Sequence, residues 1–335
     1  MKKLLLIFSL ILVQAAGENM AKMGEDFMKL RNWPMALSYY QAALKENPSL
    51  APAWYGKGLS LCQLKKFDEG ISALNRAIEL EPKNADYLYV TGVCYEWKGK
   101  DGWEQAEAYY QKTLELIPNE PQLHHKLATL YQQEENYPEA IAEFKKTIEI
   151  NPDYYISYNN LAGCYLALHQ PEEAVKLYRE AILHAEDPGR YHFYFHLGLA
   201  LLVSNQIKGA KAAFLIESAL NPDFVDARLD LGNIYLLENN FERAIEEYQQ
   251  VLVIQPDQPE AHYNLGQIFL SLNQSQLAFK HFQRYVELKP DSGPGHYYLG
   301  ICYARLDEQG KAWEEYNKSI QLGYRPEILR RKINK

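Results

Sequence analysis

A proline recurs every 34 residues in the C-terminal part of the chain, at Pro222, Pro256 and Pro290. With two small slips in spacing, the same frame continues backward to Pro152, Pro118, Pro82 and Pro48. The stretch "LGQIFLSLNQSQLAFKHFQRYVELKP" shows what each period contains: two amphipathic segments on either side of a short polar break. A hairpin of this kind cannot bury both of its apolar faces alone. The period therefore predicts an all-α fold of stacked helical hairpins.

Small residues occupy two fixed positions in every period. The eighth position holds Gly24, Gly58, Gly92, Ala128, Ala162, Gly198, Gly232, Gly266 and Gly300. Twelve residues later, with an offset in the third period, stand Ala36, Gly70, Ala106, Ala140, Ala174, Ala210, Ala244, Ala278 and Ala312. Two helices can approach closely only where both side chains are small, and the aromatic rings nearby would fill the remaining space. The proline then ends each second helix, since it lacks an N–H group.

The pattern resembles the tetratricopeptide repeat (TPR) family over residues 17–326. This resemblance implies a right-handed α-solenoid of nine helix-turn-helix units. The predicted units are 17–50, 51–84, 85–120, 121–154, 155–190, 191–224, 225–258, 259–292 and 293–326. The departures are few: Lys57 and Thr91 occupy a usually apolar position, and the closing proline is displaced to Pro188 and Pro326.

The two ends of the chain differ from the repeats. The start, "MKKLLLIFSLILVQAAG", has a basic beginning, an apolar run over Leu4–Val13 and small residues at 15 and 16, which predicts a signal peptide at residues 1–16. A short core helix or a membrane anchor is the alternative, but a bilayer span needs roughly twenty apolar residues. Gly17 opens the first repeat directly after the predicted cleavage site. Residues 327–335 are predicted to form a short basic cap.

Charge and motif content argue against several classes of function. The chain carries 35 Lys and Arg against 43 Asp and Glu, for a net charge of −8, so a nucleic-acid partner is not expected. It has no phosphate-binding glycine loop, nucleophile elbow or metalloprotease motif, and we predict no enzyme activity and no cofactor. His124, His262 and His296 recur at a position where other repeats carry Trp54 or Tyr158, which predicts structural histidines instead of metal ligands.

The four cysteines lie in four different repeats. Cys94, Cys164 and Cys302 occupy equivalent positions, and Cys62 lies nearby in its own repeat. Equivalent positions in stacked repeats are about a helix-pair width apart, whereas a disulfide needs Cα atoms within about 7 Å of each other. The spacing therefore predicts four buried thiols.

Site residues follow from the resemblance alone. In the TPR family the first helices line a concave groove, and the fifth residue of a unit commonly faces the ligand; here these residues include Tyr55, Tyr89, Phe195, Tyr263 and Tyr297. The family's clamp for a terminal carboxylate also has two asparagines, which Asn233 and Asn264 match, but Leu229, Pro294 and Tyr298 stand where its cations should be. We therefore expect an uncharged aromatic surface with amide donors that binds a protein or an extended peptide.

The function predicted on these grounds is an exported, non-enzymatic TPR scaffold, periplasmic or secreted and of bacterial type, with no transmembrane segment in the mature chain. One alternative is an intracellular co-chaperone or assembly factor whose N-terminus only resembles a leader. Another is a carbohydrate-binding or enzyme-accessory protein that uses the tyrosines of the groove.

Overall fold

The computed structural model describes residues 2–184 and 191–324, with side chains described from 16 to 183 and from 193 to 324. Within these residues the chain forms helices and no strand. The helices are α1 Lys2–Lys29, α2 Trp33–Glu46, α3 Ala51–Gln63, α4 Phe67–Leu80, α5 Ala85–Trp97, α6 Trp103–Leu116, α7 Pro121–Gln133, α8 Tyr137–Ile150, α9 Tyr155–Ala167, α10 Pro171–His184, α11 Tyr191–Val203, α12 Ile207–Leu220, α13 Val225–Leu237, α14 Phe241–Ile254, α15 Pro259–Ser271, α16 Ser275–Leu288, α17 Gly293–Arg305 and α18 Gln309–Gln321. The predicted all-α repeat fold is confirmed.

The chain divides into two compact units, Met1–Gln170 and Pro171–Lys335. The first contains α1 to α9 and the second α10 to α18. Within each unit a helix packs on the one before it and the one after it, as stacked hairpins require. The predicted basic cap at 327–335 lies outside the described residues.

The small residues do bring the two helices of a hairpin together. A Cβ atom built on Gly232 would lie 2.6 Å from the ring of Tyr248, and one on Gly266 would lie 2.7 Å from the ring of Phe282. Ala244, twelve residues after Gly232, is completely buried. A larger side chain at either position would overlap its neighbour, so the spacing of small and aromatic residues fixes the helix contact.

The helix ends follow the predicted prolines. Lys289, directly before Pro290, leaves the helix with φ −131° and ψ 71°, outside the α region that the following proline ring disfavours. The turn inside each hairpin has its own signature, because the residue at the fifteenth position adopts a positive φ. These residues are Arg31, Lys65, Gly99, Glu135, His169, Asn205, Asn239, Asn273 and Asp307. The left-handed residue closes the first helix and lets the chain reverse.

A side-chain hydrogen bond joins many repeats to the one before. The side chain at the fourth position donates to the carbonyl oxygen of the proline six residues earlier, at 2.8–3.2 Å. The donor–acceptor pairs are Trp54 and Pro48, His124 and Pro118, Arg228 and Pro222, His262 and Pro256, and His296 and Pro290. The three histidines therefore have the structural role that the repeat position predicts; we call this contact the proline link.

The cysteine prediction was wrong for one pair. Cys62 on α3 and Cys94 on α5 form a disulfide with their Cα atoms 5.9 Å apart. The spacing argument holds for equivalent positions, but Cys62 stands two positions further along its repeat than Cys94, where the two first helices converge. Cys164 and Cys302 are buried thiols as predicted, and burial raises the pKa of Cys164 to about 11.

The predicted leader continues into the first repeat as one helix, α1, without a break at Gly17. Among the helices that the structure describes, none is long and apolar enough to cross a membrane.

Candidate partner-binding face

Two neighbouring first helices of the second unit, α13 and α15, bring polar residues together on one face. Five residues define this polar face: Asp226, Asp230, Asn233, Glu260 and Asn264. Asp226, Asn233 and Glu260 are exposed, whereas Asp230 and Asn264 are half-buried. The repeat spacing explains the arrangement, because residues 34 apart on successive first helices lie side by side.

The two asparagines predicted from the carboxylate clamp do meet. The Nδ2 group of Asn264 donates to Asn233 Oδ1 and to the Tyr248 hydroxyl oxygen, at 3.0 Å in both cases. The Tyr248 hydroxyl in turn donates to Asn233 Oδ1 at 2.7 Å. Both hydrogens of the Asn264 amide are therefore used within the protein. The oxygen of that amide, in contrast, makes no hydrogen bond to a described residue, so Asn264 presents an acceptor where a donor was predicted.

Asp230 gives this face a negative charge that the sequence prediction lacked. Burial raises the pKa of Asp230 to about 6; a hydrogen bond from Asn233 opposes the rise, and the carboxylates of Asp226 and Glu260 add to it. In the described part of the second unit, the ion pairs involve other residues and leave these three carboxylates without a cation. The predicted uncharged surface is thus corrected to an acidic one. Asp230 could have been found from sequence, because it occupies the sixth position, as Asn264 does one repeat later.

The aromatic residues predicted for the second unit have different exposures. Phe195 is half-buried, with its ring centroid 4.9 Å from that of Phe224. Tyr263 is also half-buried and makes an edge contact with Tyr298, centroid to centroid 5.7 Å, which extends the face toward α17. Tyr297 is only 7% exposed and packs inside the last repeat. Its position therefore contributes to packing, while Phe195 and Tyr263 keep part of their surface available.

Tyr55 and Tyr89 belong to the first compact unit and are also half-buried. Tyr55 stacks on Tyr87 with ring centroids 5.0 Å apart, and it lines an open concavity between α1 and α3 together with Tyr40 and Glu25. Tyr89 lies 6.0 Å from the ring of Tyr110. These tyrosines form part of the surface of their own unit, separate from the amide network of α13 and α15.

The polar face can bind but has no recognisable catalytic arrangement. Its side chains are carboxylates, amides and phenols, which accept hydrogen bonds and attract cations. Among the described residues no three His, Cys, Asp or Glu side chains are grouped closely enough to hold a metal ion. Carboxylates and amides in this arrangement can hold a ligand by hydrogen bonds and by charge.

Sequence models of one family match the chain in several places. Models described as "Tetratricopeptide repeat" match residues 22–78, 63–121, 119–187 and 259–292, and one described as "TPR repeat" matches residues 232–273.

Curated proteins with similar segments are much longer than the matched region. The DnaJ homolog subfamily C member 3 homolog of Dictyostelium discoideum is 32% identical over 104 residues, which are 30% of this chain and 20% of that protein. The Hsp70-Hsp90 organizing protein 2 of Arabidopsis thaliana is 30% identical over 112 residues, 32% of this chain and 18% of that protein. The match spans a fifth or less of the length of each relative.

Among solved structures, PilF of Pseudomonas aeruginosa aligns with 65% of this chain and 97% of its own length, at a TM-score of 0.50 and 21% identity. At this identity the likeness shows the fold alone. The helix-pair architecture, the small and aromatic positions and the matches along the chain agree with one another. The chain belongs to the tetratricopeptide repeat family.

Proposed function

We propose that this protein is an exported, non-enzymatic scaffold that binds an extended segment of another protein on the polar face of α13 and α15. Family membership supports binding of proteins or peptides in general. The observation that carries the specific site is the amide network, in which both hydrogens of the Asn264 amide are used and acceptors remain: the Asn264 oxygen and the Asp230 carboxylate. An extended backbone offers N–H groups to such acceptors.

The charge of the face indicates the composition of the segment. Asp226, Asp230 and Glu260 have no described cationic partner, and Asp230 loses solvation as it is half-buried. A Lys or Arg side chain in the bound segment would supply the missing cation, and Tyr263 would offer ring surface beside it. A nucleic acid would be repelled by the same carboxylates, in line with the net charge of −8.

Export is supported by two independent features. The first is the leader pattern at residues 1–16. The second is the Cys62–Cys94 disulfide, since such bonds persist mainly in oxidising compartments outside the cytosol. N-terminal sequencing of the folded protein from fractionated cells tests this part of the proposal. A chain that begins near Gly17 in the exported fraction is expected, and an intact Met1 in the cytosol would contradict it.

An intracellular co-chaperone is the second candidate, because two of the similar proteins are named as a DnaJ homolog and an Hsp70-Hsp90 organizing protein. The residues at the clamp's cation positions argue against a carboxylate-terminus ligand. Leu229 is buried, while Pro294 and Tyr298 carry no positive charge. The acidic polar face would repel a terminal carboxylate, so the first candidate fits better.

Selection of random linear 12-residue peptides on the full chain tests the binding site. Peptides that bind should be lost when Asn264→Ala removes the link between α13 and α15. Asn317→Ala, on the exposed surface of α18, is the matched control and should bind as the wild type does. Selected peptides that bind both variants equally would place the site elsewhere, and circular dichroism of each variant checks that the fold is kept.

A further inference from the structure

The side chain that forms the proline link also makes a second contact, and this contact differs in one repeat. In three repeats the side chain at the fourth position also contacts a glutamate 19 residues later: His124 with Glu143 at 2.6 Å, Arg228 with Glu247 at 3.2 Å, and His296 with Glu315. In the eighth repeat the equivalent residue is His281, whose Nδ1 lies 3.0 Å from His262 Nδ1. His262 thus faces a second histidine, whereas the equivalent residues of the other three repeats face a glutamate.

The hydrogen bonds determine which nitrogen holds each proton. Pro256 O can only accept, so His262 Nε2, 2.9 Å away, carries a proton. The Nδ1 atom of a neutral His262 then accepts from His281 Nδ1–H. One further proton can be accommodated on His281 Nε2, because the Nδ1–H donor to His262 then stays in place. A second would set two N–H groups against each other at 3.0 Å and place two positive rings side by side.

We propose that the eighth repeat is an acid-sensitive element, in which double protonation of His262 and His281 separates α15 from α16. Among the described residues, no carboxylate acts on His281 to neutralise its charge. On α15 the facing ionisable group is His262, and on α16 it is Lys280, another cation. No ionisable side chain from the described parts of α14 or α17 acts on His281, and Phe269 stacks on its ring at 5.5 Å.

The direction of the pH effect is opposite in the repeats with a glutamate. Burial and the charge of His262 lower the pKa of His281 to about 4. Neutral His281 therefore makes its full contribution to the free energy of unfolding above pH 6.5, and this contribution is lost as the pH falls toward 4. The hydrogen bond with Glu143 raises the pKa of His124, so that repeat gains stability from protonation as the pH falls below the folded value. Acid should therefore loosen the eighth repeat while the fourth stays closed.

This local opening would reach the polar face directly, because Tyr263 and Asn264 follow His262 on α15. Acid would then release a segment held there, a consequence that rests on the proposed function. The acid-sensitive element itself needs no ligand, and its test can be made on the free protein.

Hydrogen exchange of the full chain at pH 7 and pH 5, read on peptides from α15–α16 and from α7–α8, tests the inference. After correction for intrinsic exchange, the opening equilibrium of the eighth repeat should rise about tenfold relative to the fourth as the pH falls. His281→Glu, which recreates the pair of the fourth and ninth repeats, should abolish this difference. His281→Gln, which cannot be protonated, should flatten it and serves if the Glu variant does not fold.

Equal protection ratios at the two pH values would overturn the inference, and so would a pH effect that survives in both variants. Neither result concerns the proposed binding function, which is tested separately by peptide selection at pH 7. If the exchange result holds but a selected peptide binds equally at both pH values, the opening is real and the release of the ligand is excluded.

Discussion

The Asn264 amide on α15 lies 3.0 Å from Asn233 Oδ1 on α13 and donates a hydrogen bond to it, which joins the first helices of two successive repeats. The same amide reaches the Tyr248 hydroxyl, so three side chains from three helices form one network. Such a network orders the face in the free protein, which would lower the entropic cost of the proposed binding.

Replacing Asp230 with Asn should weaken the binding of Lys- or Arg-containing peptides about tenfold, because the half-buried carboxylate is the anion nearest the network. The same change should stabilise the free protein at pH 7 by roughly 1 kcal/mol, a value reduced for solvent screening. The direction of this change follows from the raised pKa of Asp230. The free-energy cost of ionising the half-buried carboxyl is absent below pH 3.8 and grows as the pH rises through about 6. Calorimetric titration and thermal unfolding measure the two effects. Asp291→Asn, in the exposed turn before α17, is the control and should change neither.

Glu217 should make the sixth repeat less stable at high pH. Its side chain is completely buried on α12, and neither carboxylate oxygen has a described hydrogen-bond partner. Burial raises the pKa of Glu217 to about 7, and the nearby Phe195 backbone and Asn221 side chain, outside hydrogen-bonding geometry, offset only part of that rise. The cost of ionising buried Glu217 is therefore absent below pH 4.5. As the pH rises through 7, this cost lowers the free energy of unfolding by about 3 kcal/mol.

Glu217→Thr tests this prediction, because Thr113 and Thr147 occupy the same position and donate to the carbonyl four residues earlier. The variant should have a higher melting temperature than the wild type at pH 8 and lose that advantage at pH 5. A constant difference at the two pH values would show that Glu217 does not titrate in the folded chain.

Ala244→Phe should destabilise the hairpin of α13 and α14 by roughly 1–3 kcal/mol, since the completely buried alanine leaves no room for a ring. The loss should be greatest in these helices and their neighbours, because stacked repeats contact mainly the next repeat. Hydrogen exchange resolves the effect by segment. Equal loss of protection in α3 and α4 would contradict a local response.

Reduction of the Cys62–Cys94 disulfide should lower the melting temperature, because the bond closes a loop of 32 residues and such bonds typically contribute about 2–4 kcal/mol. The Cys62→Ser variant should show no further change with a reductant, which separates the disulfide from other effects of reduction. Alkylation of four cysteines in the unreduced, unfolded protein would show that the bond is absent.

The sequence was most informative where a residue type repeats. Gly232, Ala244 and Pro256 each predict one feature of a hairpin, and all three are found where the period places them. It was least informative where two different positions meet across repeats. Cys62 and Cys94 pair because the helices converge two positions out of register, a distance that the period alone does not supply.

The candidate site shows the same limit. Asn233 and Asn264 could be identified from a motif, but whether their donors face a ligand or each other depends on Tyr248, which lies on a different helix. Tyr297 matched the predicted ligand-facing position and is nevertheless buried, because the rings of Tyr316 and Tyr324 pack against it. Exposure at a repeat position varies with the neighbours on the next helix.

The proline link has a consequence for how such a chain changes length. Each donor lies six residues after its acceptor, across the boundary of two repeats. Deleting residues 225–258 would place His262 six residues after Pro222, so a complete link would form again at the new junction. A deletion across this junction that is not a whole number of periods would leave a donor without its carbonyl. Loss or duplication of whole periods is thus the change that this chain tolerates best, and shorter and longer versions of it should remain foldable.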